Sequence, residues 1–104
     1  MSKPEYRLTS DAQSDLIKIR QFTLEKWGVE QSKKYLSELR HTLQLIAEKP
    51  SVGKSRVDVA PNVMSFPYAS HIIYYIAIND QVVIFGVLHK RMVPSMHLSA
   101  RSAS

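Results

Sequence analysis

The sequence predicts an α+β domain: a short N-terminal strand, an antiparallel two-helix hairpin, and then a mainly antiparallel sheet of three to four further strands. Three observations carry this. Apolar residues recur at steps of three and four between Ala12 and Ile46, with a break at Gly28. After Pro50 the pattern changes to short β-branched and aromatic runs. The turn signals between those runs, Pro61-Asn62, Pro67 and Asn79-Asp80, leave connections so short that neighbouring strands must pair antiparallel.

Tyr6-Arg7-Leu8-Thr9 alternates and forms the first strand. Ser10 is the expected helix N-cap, with Gln13 three residues on in the capping-box position. From Asp11 to Trp27, the residues Ala12, Leu16, Ile19, Thr23 and Trp27 share one face, while Lys18, Gln21 and Glu25 fall elsewhere. Gly28 ends the helix and Val29 begins the next, so the two lie side by side as a hairpin. Ser32, Tyr35, Leu36, Leu39, Leu43 and Ile46 form the second buried stripe, and Pro50 stops the helix near Glu48. Phe22, Trp27 and Tyr35 fall at helical spacing and are expected in the core rather than in a ligand box.

Residues Pro50 to Ser55 read as a loop pivoting on Gly53. Strands are expected at Arg56–Val59, Val63–Phe66, His71–Ile78 and Val82–Leu88, the last two forming a hairpin through Asn79-Asp80-Gln81. Residues 1–98 make a single domain. The stretch from Ser95 has only Met96 and Leu98 as large apolar residues, so 99–104 is expected to be a disordered tail.

The chain has 104 residues, 44% hydrophobic and 22% charged, a composition suited to one soluble domain. The longest apolar run, Ile72 to Ile78, falls well short of the roughly 20 residues a membrane helix needs. No apolar segment follows Met1-Ser2-Lys3-Pro4, so no signal peptide is expected and the cytoplasm is the expected compartment. Cysteine is absent, which excludes disulfides and thiolate metal or redox sites. His41, His71, His89 and His97 show no metal-ligand spacing, so neither a metal nor another cofactor is expected. Net charge is +5 and uneven: eight Lys/Arg against seven Asp/Glu up to Glu48, six against two from Lys49 onward. That asymmetry suits an acidic partner.

Several local motifs in order resemble the RelE/ParE superfamily of type II toxins, and within it the ParE branch. They are Leu8-Thr9 with Ala12 and Asp15-Leu16, Trp27-Gly28 at the hairpin turn, and Tyr35-Leu36. Further on come Gly53 with Arg56, His71-Ile72-Ile73-Tyr74-Tyr75, and Val87-Leu88-His89-Lys90-Arg91-Met92. The resemblance spans about Tyr6 to Leu98. It implies a toxin neutralised by a cognate antitoxin, ParD-like or another acidic helical one. Relatives in the ParE branch poison DNA gyrase; those in the RelE branch cleave messenger RNA on the ribosome.

Metal-free RNA cleavage needs a base, an acid and cations around the phosphorane. Lys54, Arg56, His71, Tyr75, His89, Lys90 and Arg91 could supply these, and a nuclease would rest on Arg56, His89 and Arg91. The ribosome-dependent nucleases usually add a C-terminal tyrosine or histidine. Here Met92, Val93, Pro94 and Ser95 follow Arg91, with no ring until His97. The reading is therefore a non-enzymatic gyrase inhibitor, with a nuclease or an inactive antitoxin-binding paralogue as the alternatives. Target-binding candidates are His89, Lys90 and Arg91. Antitoxin-binding candidates are Lys54 and Arg56, the latter also able to pair with Asp58. His71 reads as structural. No sequence-specific DNA binding and no membrane partner are expected of the chain alone. One departure from the ParE pattern is Val93-Pro94, where an aspartate commonly follows His-x-Arg-Met.

Overall fold

The computed structural model describes residues 4–103. The signal-peptide reading of residues 1–3 and the last residue of the expected tail lie outside them. Strand β1 (Tyr6–Leu8) leads into α1 (Ser10–Trp27) and α2 (Val29–Glu48), then a 3-10 turn (Pro50–Val52). The sheet follows as β2 (Lys54–Ser55), β3 (Met64–Tyr68), β4 (His71–Ile78) and β5 (Gln81–His89), and a short helix, α3 (Pro94–Leu98), closes the order. Among the described residues, no helix is long and apolar enough to cross a membrane.

The cap of α1 is Thr9, one residue before the expected Ser10. Thr9 still belongs to the sheet, its amide donating to the Ile84 carbonyl at 3.0 Å, and its extended backbone leaves Oγ1 free to accept the Ala12 amide at 3.1 Å. One residue thus ends the strand and starts the helix. Thr9→Ala is expected to cost about 1 kcal/mol, read from the urea midpoint. Gly28 alone separates the helices. Its φ of +87°, with open space where a Cβ would stand, shows that backbone angle is the reason for glycine there. Thr23 and Ser32 meet across the hairpin at 2.7 Å.

The strand order is β1-β5-β4-β3-β2, antiparallel except that β1 runs parallel to β5. The strand expected at Arg56–Val59 is not formed. The chain pairs earlier, Lys54 with Ser65 and Ser55 with Met64, inside the stretch that reads as a loop. Residues 57–62 are turns because the Arg56 amide donates to the Val63 carbonyl at 2.7 Å, Asp58 folds back onto Arg56, and Asn62 takes a positive φ. β-branched residues there were a misleading signal; local reversal outweighed propensity.

Two cores flank the sheet. Ala12, Ile19, Leu39, Leu43 and Ile46 pack on Ile73, Tyr75, Val82, Ile84 and Val87 beneath the helices. On the opposite face Tyr74, Phe85 and Leu88 are covered by Val63 and by Leu98 of α3. Leu98 sits so close to β5 that a Cβ on Gly86 would lie 2.7 Å from its Cδ2. The described part of the expected tail, 99–103, folds back: Arg101 reaches α1, and the Ala103 carbonyl accepts from Arg7 Nη2 at 2.7 Å. Two of the aromatics expected in the core are outside it, Phe22 at 53% and Trp27 at 44% exposure. The buried positions of α1 end at Thr23, so Trp27 lies beyond them and packs on Tyr35 of α2, while Phe22 points off the buried stripe.

Candidate functional site

β1 stops at Leu8, opposite Ile84, while β5 runs on to His89. The register of β4 and β5 skips Phe85, a bulge between Tyr74 and Tyr75 that turns the backbone groups of β5 toward the vacated side. Side chains take over from the missing strand. Asp15, buried on α1, accepts the Val87 amide at 2.9 Å. Arg101 clamps the same carboxylate through Nη1 at 2.6 Å and Nη2 at 3.0 Å, and Nη1 also donates to the Phe85 carbonyl at 3.2 Å. Hydrogen bonds to Asp15 raise the Arg101 pKa above its already high ordinary value.

Beyond this clamp lies a cleft of about 370 Å³, with Lys18, Ile19 and Phe22 of α1 on one wall and Met92, His97 and Arg101 on the other. Its floor is Val87, Leu88, His89 and His71. Histidines far apart in sequence meet because His71 and His89 are register partners, their rings edge to face at 5.6 Å. His71 Nδ1 lies 2.6 Å from the Tyr35 hydroxyl, and Tyr35 packs edge-on against Tyr68. Among the described residues, no group of three or more histidines or carboxylates is placed to hold a metal ion. His89 Nδ1 accepts the Arg91 amide at 3.2 Å, so the neutral ring carries its proton on Nε2 and presents a donor rather than a ligand lone pair.

Burial pushes the His71 pKa below its ordinary value; His89 adds to this and Asp15 opposes it. A folded pKa below the unfolded one means the unfolded state binds the proton first, so stability rises with pH. This contribution is complete above about 6.5 and is lost as the pH falls through that value toward the lower folded pKa. Urea midpoints at pH 7.5 and 5.5 are expected to show that loss in the natural chain and less of it in His71→Gln.

The sequence candidates fall into two groups. His89 lines the cleft, and Lys90 and Arg91 stand exposed in the turn at its end, where the Lys90 amide donates to the Ser70 carbonyl at 2.8 Å. Lys54 is exposed on the edge strand β2. Arg56 is engaged internally: Nε and Nη2 grip Asp58, each at 3.0 Å, and the guanidinium lies 5.5 Å from the Tyr74 ring centre. Three strand spacings, about 14 Å, separate β2 from β5, so Arg56 is not brought together with His89 and Arg91. Sequence reasoning missed Asp15, Lys18, Phe22 and Arg101 as site residues and weighed His97 only as a ring that could serve a nuclease. Asp15 alone carried a signal, a carboxylate between Ala12 and Ile19 on the buried stripe.

A second, shallower groove of about 230 Å³ runs between the helices on their outer side, lined by Leu16, Ile17, Leu36 and Leu39 and flanked by Arg20 and Arg40.

The arrangement is a helical hairpin on a five-stranded sheet with a cleft at the end of β5. A solved structure described as the chromosomal ParDE TA system from P. aeruginosa superposes with a TM-score of 0.71 at 15% identity, covering 84% of this chain and 96% of that one. The family model described as "ParE toxin of type II toxin-antitoxin system, parDE" matches residues 6–94, and the chain belongs to that family. It is similar to Toxin ParE1 of Caulobacter vibrioides, 34% identical over 93 residues covering 89% of this chain and 96% of the relative. Toxin ParE1 of Mycobacterium tuberculosis is 32% identical over 88 residues, 84% of this chain and 90% of the relative. The chain is the toxin of a parDE-type system, whose partner is an antitoxin.

Proposed function

We propose that the toxin acts in the cytoplasm by binding and inhibiting DNA gyrase, without catalysis of its own, and engages gyrase through His89, Lys90 and Arg91. The observation that carries this is the placement of the cations. Lys90 and Arg91 project from a turn beside an open cleft, and among the described residues neither forms an ion pair. Arg56, which a nuclease would need, is neutralised by Asp58 and lies remote from His89. The tyrosines near His71 offer no base near neutral pH: burial raises the Tyr35 pKa and pushes Tyr68 up to about 12.

The antitoxin's acidic helical segment lies in the groove between α1 and α2, its apolar face on Leu16, Ile17, Leu36 and Leu39 and its carboxylates toward Arg20 and Arg40. Lys54 and Arg56 contribute at most a rim contact.

The test is plasmid supercoiling by purified gyrase in the presence of antitoxin-free toxin. Inhibition that weakens in Lys90→Glu and Arg91→Glu is the expected result; unchanged supercoiling with the natural chain, or cuts within translated codons in expressing cells, would overturn the reading. Ile17→Asp is expected to weaken antitoxin co-purification at least about tenfold, a loss of about 1.4 kcal/mol.

A further inference from the structure

The cleft is larger than the turn at Lys90-Arg91 requires, and its composition is not that of a structural gap. β5 lacks a strand neighbour on this side from Phe85 to His89, and only the first part of that edge is covered, by Asp15 and Arg101. The side chains of Val87, Leu88 and His89 line the rest of the cleft, where the Val87 amide is taken by Asp15 and the His89 carbonyl accepts the Met92 amide at 2.9 Å. Asp15 is the acidic residue lining the cleft and is neutralised by Arg101. The charge left over is positive: Lys18 on one wall, with Lys90 and Arg91 at the mouth. His89 adds an Nε2 proton donor, and Phe22, half exposed beside Trp27, adds an aromatic anchor of the kind that concentrates binding energy.

We infer that the cleft is the docking site for an extended acidic segment of the toxin's target, which lies along the cleft and sets its carboxylates against Lys18, His89 and Arg91. This deepens the target reading above and rests on it for the identity of the target as gyrase. The occupant is the target rather than the antitoxin because the antitoxin's groove is on the other flank of α1, where Ile17 and Arg20 lie, while Lys18 and Phe22 face the cleft. Toxin seated on its target through the cleft leaves that groove open.

Lys18, Phe22 and His97 are exposed, so Lys18→Glu, Phe22→Ala and His97→Ala should fold, as melting curves would verify. With gyrase holoenzyme, Lys18→Glu is expected to raise the half-inhibitory toxin concentration about tenfold and Phe22→Ala to raise it as well. Inhibition by the natural chain should weaken with added salt. Antitoxin co-purification should be unchanged. Growth arrest in cells, read in parallel, separates the two layers. If the natural chain arrests growth without inhibiting gyrase and Lys18→Glu relieves the arrest, the gyrase reading fails while the cleft stands. If inhibition and arrest both persist in Lys18→Glu and Phe22→Ala, the inference is overturned. It is equally overturned if Lys18→Glu chiefly weakens the antitoxin complex, if inorganic phosphate alone shifts the His89 ring resonances, or if the toxin self-associates through Phe22. Those results assign the cleft to the antitoxin, a small anion or a second copy.

Discussion

Asp15→Ala is expected to destabilise the domain by about 3–5 kcal/mol, the cost of breaking a buried ion pair from one side. The carboxylate is 6% exposed and serves three groups, the Val87 amide and both terminal nitrogens of Arg101. Removing it leaves a part-buried guanidinium without its counter-charge and the Val87 amide without an acceptor. For a domain near this size each kcal/mol moves the melting temperature by about 4–8 °C, so the loss should exceed about 10 °C. Arg101→Ala should also be costly, since it leaves Asp15 with only the Val87 amide. The double variant is expected to lose less than the sum of the singles by about 1–3 kcal/mol. Equilibrium urea unfolding of the four proteins checks this; additive losses would mean that the two residues act independently. Truncation after Ala100 should reproduce most of the Arg101→Ala loss.

Gly53→Ala is the second large effect, expected at about 3 kcal/mol, the upper part of the range for overpacking. The glycine's φ is −79°, open to any residue, so the reason lies in space and not in backbone freedom. An added Cβ would collide with the Tyr75 hydroxyl oxygen, and would stand 2.8 Å from Tyr75 Cζ and 2.9 Å from the Ser65 carbonyl oxygen. Tyr75 cannot yield easily: it is fully buried, and its hydroxyl donates to the Pro50 carbonyl at 2.6 Å. In a Tyr75→Phe background part of the clash is gone, so the same glycine substitution should cost less. Unfolding midpoints of the single and double variants decide it, and an equal cost in both backgrounds would locate the clash at the ring carbon or at Ser65 instead of at the hydroxyl.

Much of the fold was legible because its elements are local. The hairpin is written in the three-and-four spacing of Leu39, Leu43 and Ile46 and in Gly28, and the β4–β5 hairpin in Asn79-Asp80, both of which take positive φ. The misses were of two kinds. Arg56–Val59 looked like a strand because Val57 and Val59 are β-branched, and nothing in the spacing told that the Arg56 amide would bond Val63. Trp27 continued the apolar period of α1 past Thr23, its last buried position, while Phe22 lies off that stripe, on the side that opens into the cleft. Periodicity reports which face is apolar, and not where its support ends.

The sequence by itself determined the class of fold, the basic second half, the absence of thiol chemistry and, through its ordered motifs, membership of the ParE family. Each of these depends on residue types or on neighbours a few positions apart. Tertiary structure decided the site. Asp15 and Arg101 are 86 residues apart, and His71 meets His89 only through the register of β4 on β5. Those contacts exist because β1 ends early, a bulge turns Phe85 and Val87 toward the gap, and the buried backbone groups there require partners. No local pattern encodes where one strand stops relative to another.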